Sequence, residues 1–116
     1  MTPPQVVPDP KQRLLGESVL SGGNIRNNHI NLSKLMDRFP GDSIGGSNSA
    51  EAAARPLTVD WGGPQTVTTD IDGSKAIFRG RGWVRRFLAA SKAQEGDTVV
   101  IAETAPYSIS VRLVRA

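Results

Sequence analysis

The chain contains no cysteine and a single histidine, His29, in 116 residues. Without cysteine, neither a disulfide nor a thiolate metal site can brace the fold, and a reducing, cytoplasmic setting is expected. No apolar run approaches the length needed to cross a bilayer, and the N-terminal MTPPQVVPDPKQR lacks the apolar core of an export signal. A membrane partner is therefore not expected. A chain of this length supports one domain with one modest core.

Catalytic groups are equally scarce. His29 has no sequence-visible nucleophile or metal co-ligand beside it. Asp70-Ile71-Asp72-Gly73 has the look of a calcium loop, but the register puts Thr68 at the first ligand position and Arg79 where a bidentate glutamate is required. Gly80-Arg81-Gly82 lacks the third glycine of a dinucleotide loop. A metal-dependent nuclease would need a carboxylate two residues before Lys75, and Gly73 stands there. The expectation is no enzyme site, no metal and no cofactor within these residues.

Positive charge is what the chain does have, and it is unevenly spread. Lys75 to Lys92 (KAIFRGRGWVRRFLAASK) carries six basic side chains and no acidic one, while the other 98 residues carry eight basic and eleven acidic groups. The segment is thus +6 and the remainder −3. Concentrated cations on a near-neutral body suit a polyanion reader, because Lys and Arg contacts to phosphate release condensed counterions. The plain alternative is a solvated helix face, but Gly80, Gly82 and Trp83 interrupt the run and point to a shaped loop leading into a helix. Arginine outnumbers lysine ten to four, which suits forked phosphate and guanine contacts, though a GC-rich genome gives the same excess.

Along the chain, residues 1–13 hold four prolines and little to bury, so they read as a flexible Pro-rich arm ahead of a domain over 14–116. Strands are expected over 16–20, 29–32, 57–61, 65–71, 74–79, 98–103 and 107–114, separated by Gly-, Asn- and Pro-containing turns. The polar stretch 21–29 reads as a loop, and Asp72-Gly73 as a hairpin turn. Ser33 is a candidate cap for a short helix over 34–39, stopped by Pro40-Gly41. The stretch 41–55 reads as a surface excursion, with a possible helical turn over Ala50 to Ala54. A helix over 82–91 would bury Trp83, Val84, Phe87 and Leu88 on one stripe and leave Arg85, Arg86 and Ala89 outside. About seven short strands and two short helices make a mainly β, α+β domain, and strands so short favour a closed or half-closed barrel.

Two polar loops carry the candidate contacts. Asn24, Arg26, Asn27, Asn28 and His29 can donate to phosphates or read base edges, asparagine pairing bidentately with adenine and arginine with guanine. Gly-Asn clusters also simply make turns. Thr68, Asp70, Asp72, Ser74 and Lys75 form a second polar set, whose acids could accept from cytosine or act as turn formers.

From Ala76 to Ala102 the order is strand, basic residues, Gly82-Trp83, Phe87, a short helix, Glu95-Gly96-Asp97 and an aliphatic strand. This order resembles the plant B-three DNA-binding domain and the related DNA-recognising effector domain of some prokaryotic type II restriction endonucleases. The resemblance runs more loosely over residues 15–115. It implies a seven-stranded open pseudobarrel in which Trp83 and Phe87 plug one end and Gly96 permits the turn into the next strand. It also implies sequence-specific reading of double-stranded DNA by two arms in the major groove. By position these are an N-arm over Ser21 to His29 and a C-arm over Thr68 to Lys75, flanked by Arg79 and Arg81, with Arg85, Arg86 and Lys92 as supporting charges.

The HINLSKLMDRF stretch departs from the Ile-Pro-Lys-like stretch usual in plant domains, and Asp70 and Asp72 make the C-arm acidic, so target specificity does not transfer. The arginine- and alanine-rich composition favours the restriction-enzyme branch, with cleavage in a covalently linked catalytic domain outside this chain. The alternatives are a small β-barrel that binds a protein or an anionic ligand, an AbrB-like swapped-hairpin regulator and, least favoured, a stand-alone hydrolase.

Overall fold

The alternating aliphatic residues near the C-terminus build the centre of the molecule. In the computed structural model, which describes residues 12–46 and 51–116, β1 (Arg13–Val19), β3 (Leu57–Asp60), β4 (Val67–Thr69), β7 (Thr98–Ala105) and β8 (Ser108–Val114) form a five-stranded sheet in the order β1-β7-β8-β3-β4. The β3–β8 pair is parallel and the other pairs are antiparallel. Leu57, Val59, Val99, Ile101, Ile109 and Val111 point inward and are buried, as period-two alternation requires. A second sheet joins β2 (Ile44–Gly45), β5 (Ile71–Asp72) and β6 (Ile77–Phe78), with β2 and β5 parallel.

The fold is therefore mainly β with two open mixed sheets and two α-helices, α1 (Gly22–Asn27) and α2 (Arg81–Ala90). There are eight strands rather than seven, and no closed barrel forms among the described residues. The expected strand over 65–71 divides into β4 and β5 because Asp70 stands between them, where the chain passes from one sheet to the other. The hairpin that follows is present, but residues 73–76 form its turn instead of a tight Asp-Gly pair, and only Ile77 and Phe78 of the expected strand 74–79 pair with β5.

Three local expectations are corrected. The stretch 21–29 is not all loop, because α1 forms within it. Ser21 caps this helix: its hydroxyl accepts from the Asn24 amide at 3.0 Å, and the Asn24 side chain accepts from the Ser21 amide at 2.9 Å. These reciprocal bonds satisfy donors that a helix start leaves open. Residues 29–32 make no strand, only an isolated bridge between Asn31 and Ile77. Ile30 and Leu32 are nonetheless fully buried, so the alternation marked side-chain direction without a ladder. Residues 34–39 hold only a 3-10 turn at Met36–Arg38, which suffices to bury Leu35 and Phe39. The Pro-rich arm lies outside the described residues except at its end, where Arg13 already belongs to β1. The turn expected over 50–54 lies partly outside them, and residues 52–54 are irregular.

Helix α2 covers the core as its stripe predicts. Trp83, Val84, Phe87 and Leu88 are buried, and Trp83 meets Phe78 edge-on with ring centroids 5.2 Å apart. Phe39 meets the same ring at 6.3 Å, a preferred aromatic geometry. Between α2 and β7 the chain turns at Gly96, whose φ of 94° favours glycine. Asp97 then fixes that turn by accepting from the Gln94 and Ala116 amides and from Arg115. These hydrogen bonds outweigh its burial and hold its carboxyl below the usual range. At the other end of the sheet a register shift leaves Leu15 as an extra residue in β1 opposite β7, and Arg38 donates to the Leu15 carbonyl at 2.8 Å.

Candidate nucleic-acid interface

The basic segment divides sharply between Arg79 and Arg81. Arg79 points into the junction of the sheets: its Nε lies 2.8 and 3.0 Å from the two Asp70 oxygens, and its Nη2 donates to the Gly46 carbonyl at 2.7 Å. Asp70 is itself buried and also accepts from the Ala53 amide at 2.8 Å. This pair ties β5 and β6 to Gly46 and Ala53. Two residues later the chain enters α2, and Arg81 is exposed.

Arg81 faces the end of α1. Asn28 adopts a left-handed conformation with φ 55°, closing that helix, and the His29 amide returns to the Asn24 carbonyl at 2.9 Å. This turn brings the His29 ring to Arg81, with Nε2 and Nη1 3.4 Å apart. Arg26 and Asn27 from α1 and its capping residue Asn28, with Arg81, Gly82 and Arg85 from α2, line one open groove of about 430 Å³. Lys75, exposed on the β5–β6 turn, is close enough to act on His29. Burial, then Arg81, then Lys75 push the imidazole pKa below its ordinary value, so the ring is neutral at physiological pH.

The basic residues at the groove differ from the four arginines that form ion pairs elsewhere. Among the described residues, Arg13, Arg79, Arg112 and Arg115 are paired with Glu103, Asp70, Asp60 and Asp97. None of Arg26, Lys75, Arg81 and Arg85 makes such a pair. Four cations thus converge from three chain segments without forming an ion pair among the described residues. Gly80 before α2 supplies no side-chain cap, so the positive end of the helix dipole adds to their field. At Gly82 a β-carbon would meet nothing within 4 Å, which leaves that stretch of backbone open to the groove.

The structure therefore brings Arg26, Asn27, Asn28, His29, Lys75 and Arg81 together and leaves the other candidates elsewhere. Asn24 is occupied as a capping residue and lines a separate groove with Glu17 and Lys34. Asn27 does share its amide, donating to the Gly23 carbonyl at 2.9 Å. Asp72 is buried and accepts from the Ser74 amide and hydroxyl and the Lys75 amide, so Asp72 and Ser74 build the turn that carries Lys75. Burial opposes ionisation of Asp72, but those hydrogen bonds keep its pKa below the usual value. Thr68 is exposed on β4 and pairs in register with Thr58.

The participation of Gly82 is not evident from composition; its position in the first turn of a helix beside a polar loop is the only sequence signal. No protein-family model and no curated protein sequence matches this chain.

Proposed function

We propose that this chain binds double-stranded DNA with sequence preference, as a recognition domain built on an open pseudobarrel. The observation that carries the reading is the convergence of Arg26, Lys75, Arg81 and Arg85, without acidic partners, around the polar end of α1. Cations that no carboxylate neutralises gain most from phosphate, since binding releases counterions without breaking an internal ion pair. Asn28 and Asn27 lie on the same groove and supply donors and acceptors suited to base edges. In this reading Arg81 and Arg85 hold the backbone, the α1 end reads sequence, and Lys75 anchors the second arm. Asp70, Asp72, Ser74 and Arg79 support that arm from within. Any cleavage belongs to a separate catalytic domain.

Fluorescence anisotropy with a random-sequence duplex at low salt tests the partner class. Binding should weaken steeply as salt rises, and Arg81→Ala and Arg85→Ala should each reduce the log–log salt slope by about one. Selection from random oligonucleotides should then return an enriched site. A salt-insensitive interaction, or binding of small polyphosphates but not duplexes, would favour a protein- or anion-binding module instead.

A further inference from the structure

We infer that docking of a polyanion in the α1–α2 groove is coupled to uptake of a proton by His29. The inference rests on the phosphate-binding reading above and adds a pH dependence to it.

The geometry of one contact drives the coupling. Arg81 Nη1 approaches His29 Nε2 at 3.4 Å. A guanidinium nitrogen can only donate, so this contact requires a lone pair on Nε2 and places the ring proton on Nδ1. A proton added at Nε2 would turn the contact into donor against donor, beside Arg81 and within reach of Lys75. The charged groups bearing on the ring are Arg81 from α2 and Lys75 from the β5–β6 turn. Arg26 and Arg85 face the adjoining groove. Asp72, beneath that turn, is buried, with Ser74 and Lys75 bonded to its carboxylate.

A phosphate oxygen arriving between Arg81 and His29 reverses the preference. It accepts from Arg81 and, if the ring is protonated, from Nε2 as well, while its charge offsets Arg81 and Lys75. The bound complex therefore holds a proton that the free protein releases, and affinity must rise as pH falls between the free and bound pKa values. His29 is the chain's only imidazole and there is no cysteine, so no other side chain with an ordinary pKa titrates between about pH 5 and 8.

The test measures duplex affinity at constant ionic strength across that range for wild type and His29→Gln, using a dye that does not titrate. In parallel, the His29 ring signals are followed by NMR with and without duplex. Wild-type affinity should increase toward acid by at most about tenfold per pH unit, the variant should give a flatter slope, and duplex should raise the His29 pKa. Equal slopes for the two proteins, or an unmoved pKa in a bound complex, would overturn the coupling while leaving DNA binding intact. Absence of duplex binding at every pH and low salt would overturn both.

Discussion

Arg79 and Arg81 lie two residues apart in the same basic run, yet they belong to different regions with opposite logic. At the sheet junction, Arg79 is held by a buried carboxylate and a carbonyl, and its charge is spent inside the molecule. At the α1–α2 groove, Arg81 stands with three other cations, none of them in an ion pair among the described residues. A count of basic residues treats the two alike. What separates them is the presence of Asp70, which takes one arginine out of the exposed basic set and holds it where the chain crosses between the sheets.

The contrast can be broken experimentally. The largest effect is expected at the junction: Asp70→Ala removes the buried carboxylate that Arg79 and the Ala53 amide bind and should cost about 3 kcal/mol, measured by denaturant unfolding. Arg79→Ala should lower stability comparably while leaving the salt slope of duplex binding unchanged. Arg81→Ala should do the reverse, changing stability by no more than about 0.5 kcal/mol and the salt slope by about one. Next comes Ser21→Ala, which removes the α1 cap at a cost of about 1 kcal/mol. It should also weaken binding, because α1 carries Arg26 and Asn27 to the groove.

The smallest effect concerns acid. The lowered pKa of Asp97 means its contribution is complete above the ordinary carboxylate range and is lost as pH falls through the folded-state value. Asp97→Asn should therefore flatten the decline in stability below about pH 4.

Legibility in the sequence followed the length of the local pattern. β7, β8 and α2 were readable because alternation or a helical stripe continues long enough to define a face. Helix α1 was hidden because Gly22-Gly23-Asn24 favours turns on propensity; its signal was Ser21 followed three residues later by Asn24, which closes the capping box in place of the usual Glu or Gln. At Ile30 and Leu32 the pattern gave burial correctly and pairing incorrectly, since side-chain direction does not require a neighbouring strand. The groove was half visible. The basic run and the asparagine loop each stood out, but their contact spans 52 residues of sequence at His29 and Arg81, and nothing local distinguished Arg79 from Arg81. That distinction depends on Asp70 being buried at a crossing between sheets.

The extra residue in β1 has a consequence for how the molecule behaves in concentrated solution. A seven-residue strand on the rim of a sheet offers bare amides and carbonyls to any extended chain that drifts alongside. Here the bulge at Leu15 breaks the repeat that such a visitor would have to match, and Arg38 already occupies the Leu15 carbonyl. Replacing Arg38 with alanine should make the protein more prone to strand-to-strand self-association, detectable by light scattering during slow heating. That one bonded carbonyl is withheld from any visitor, beside the exposed side chains of Leu14 and Val19 on the same strand.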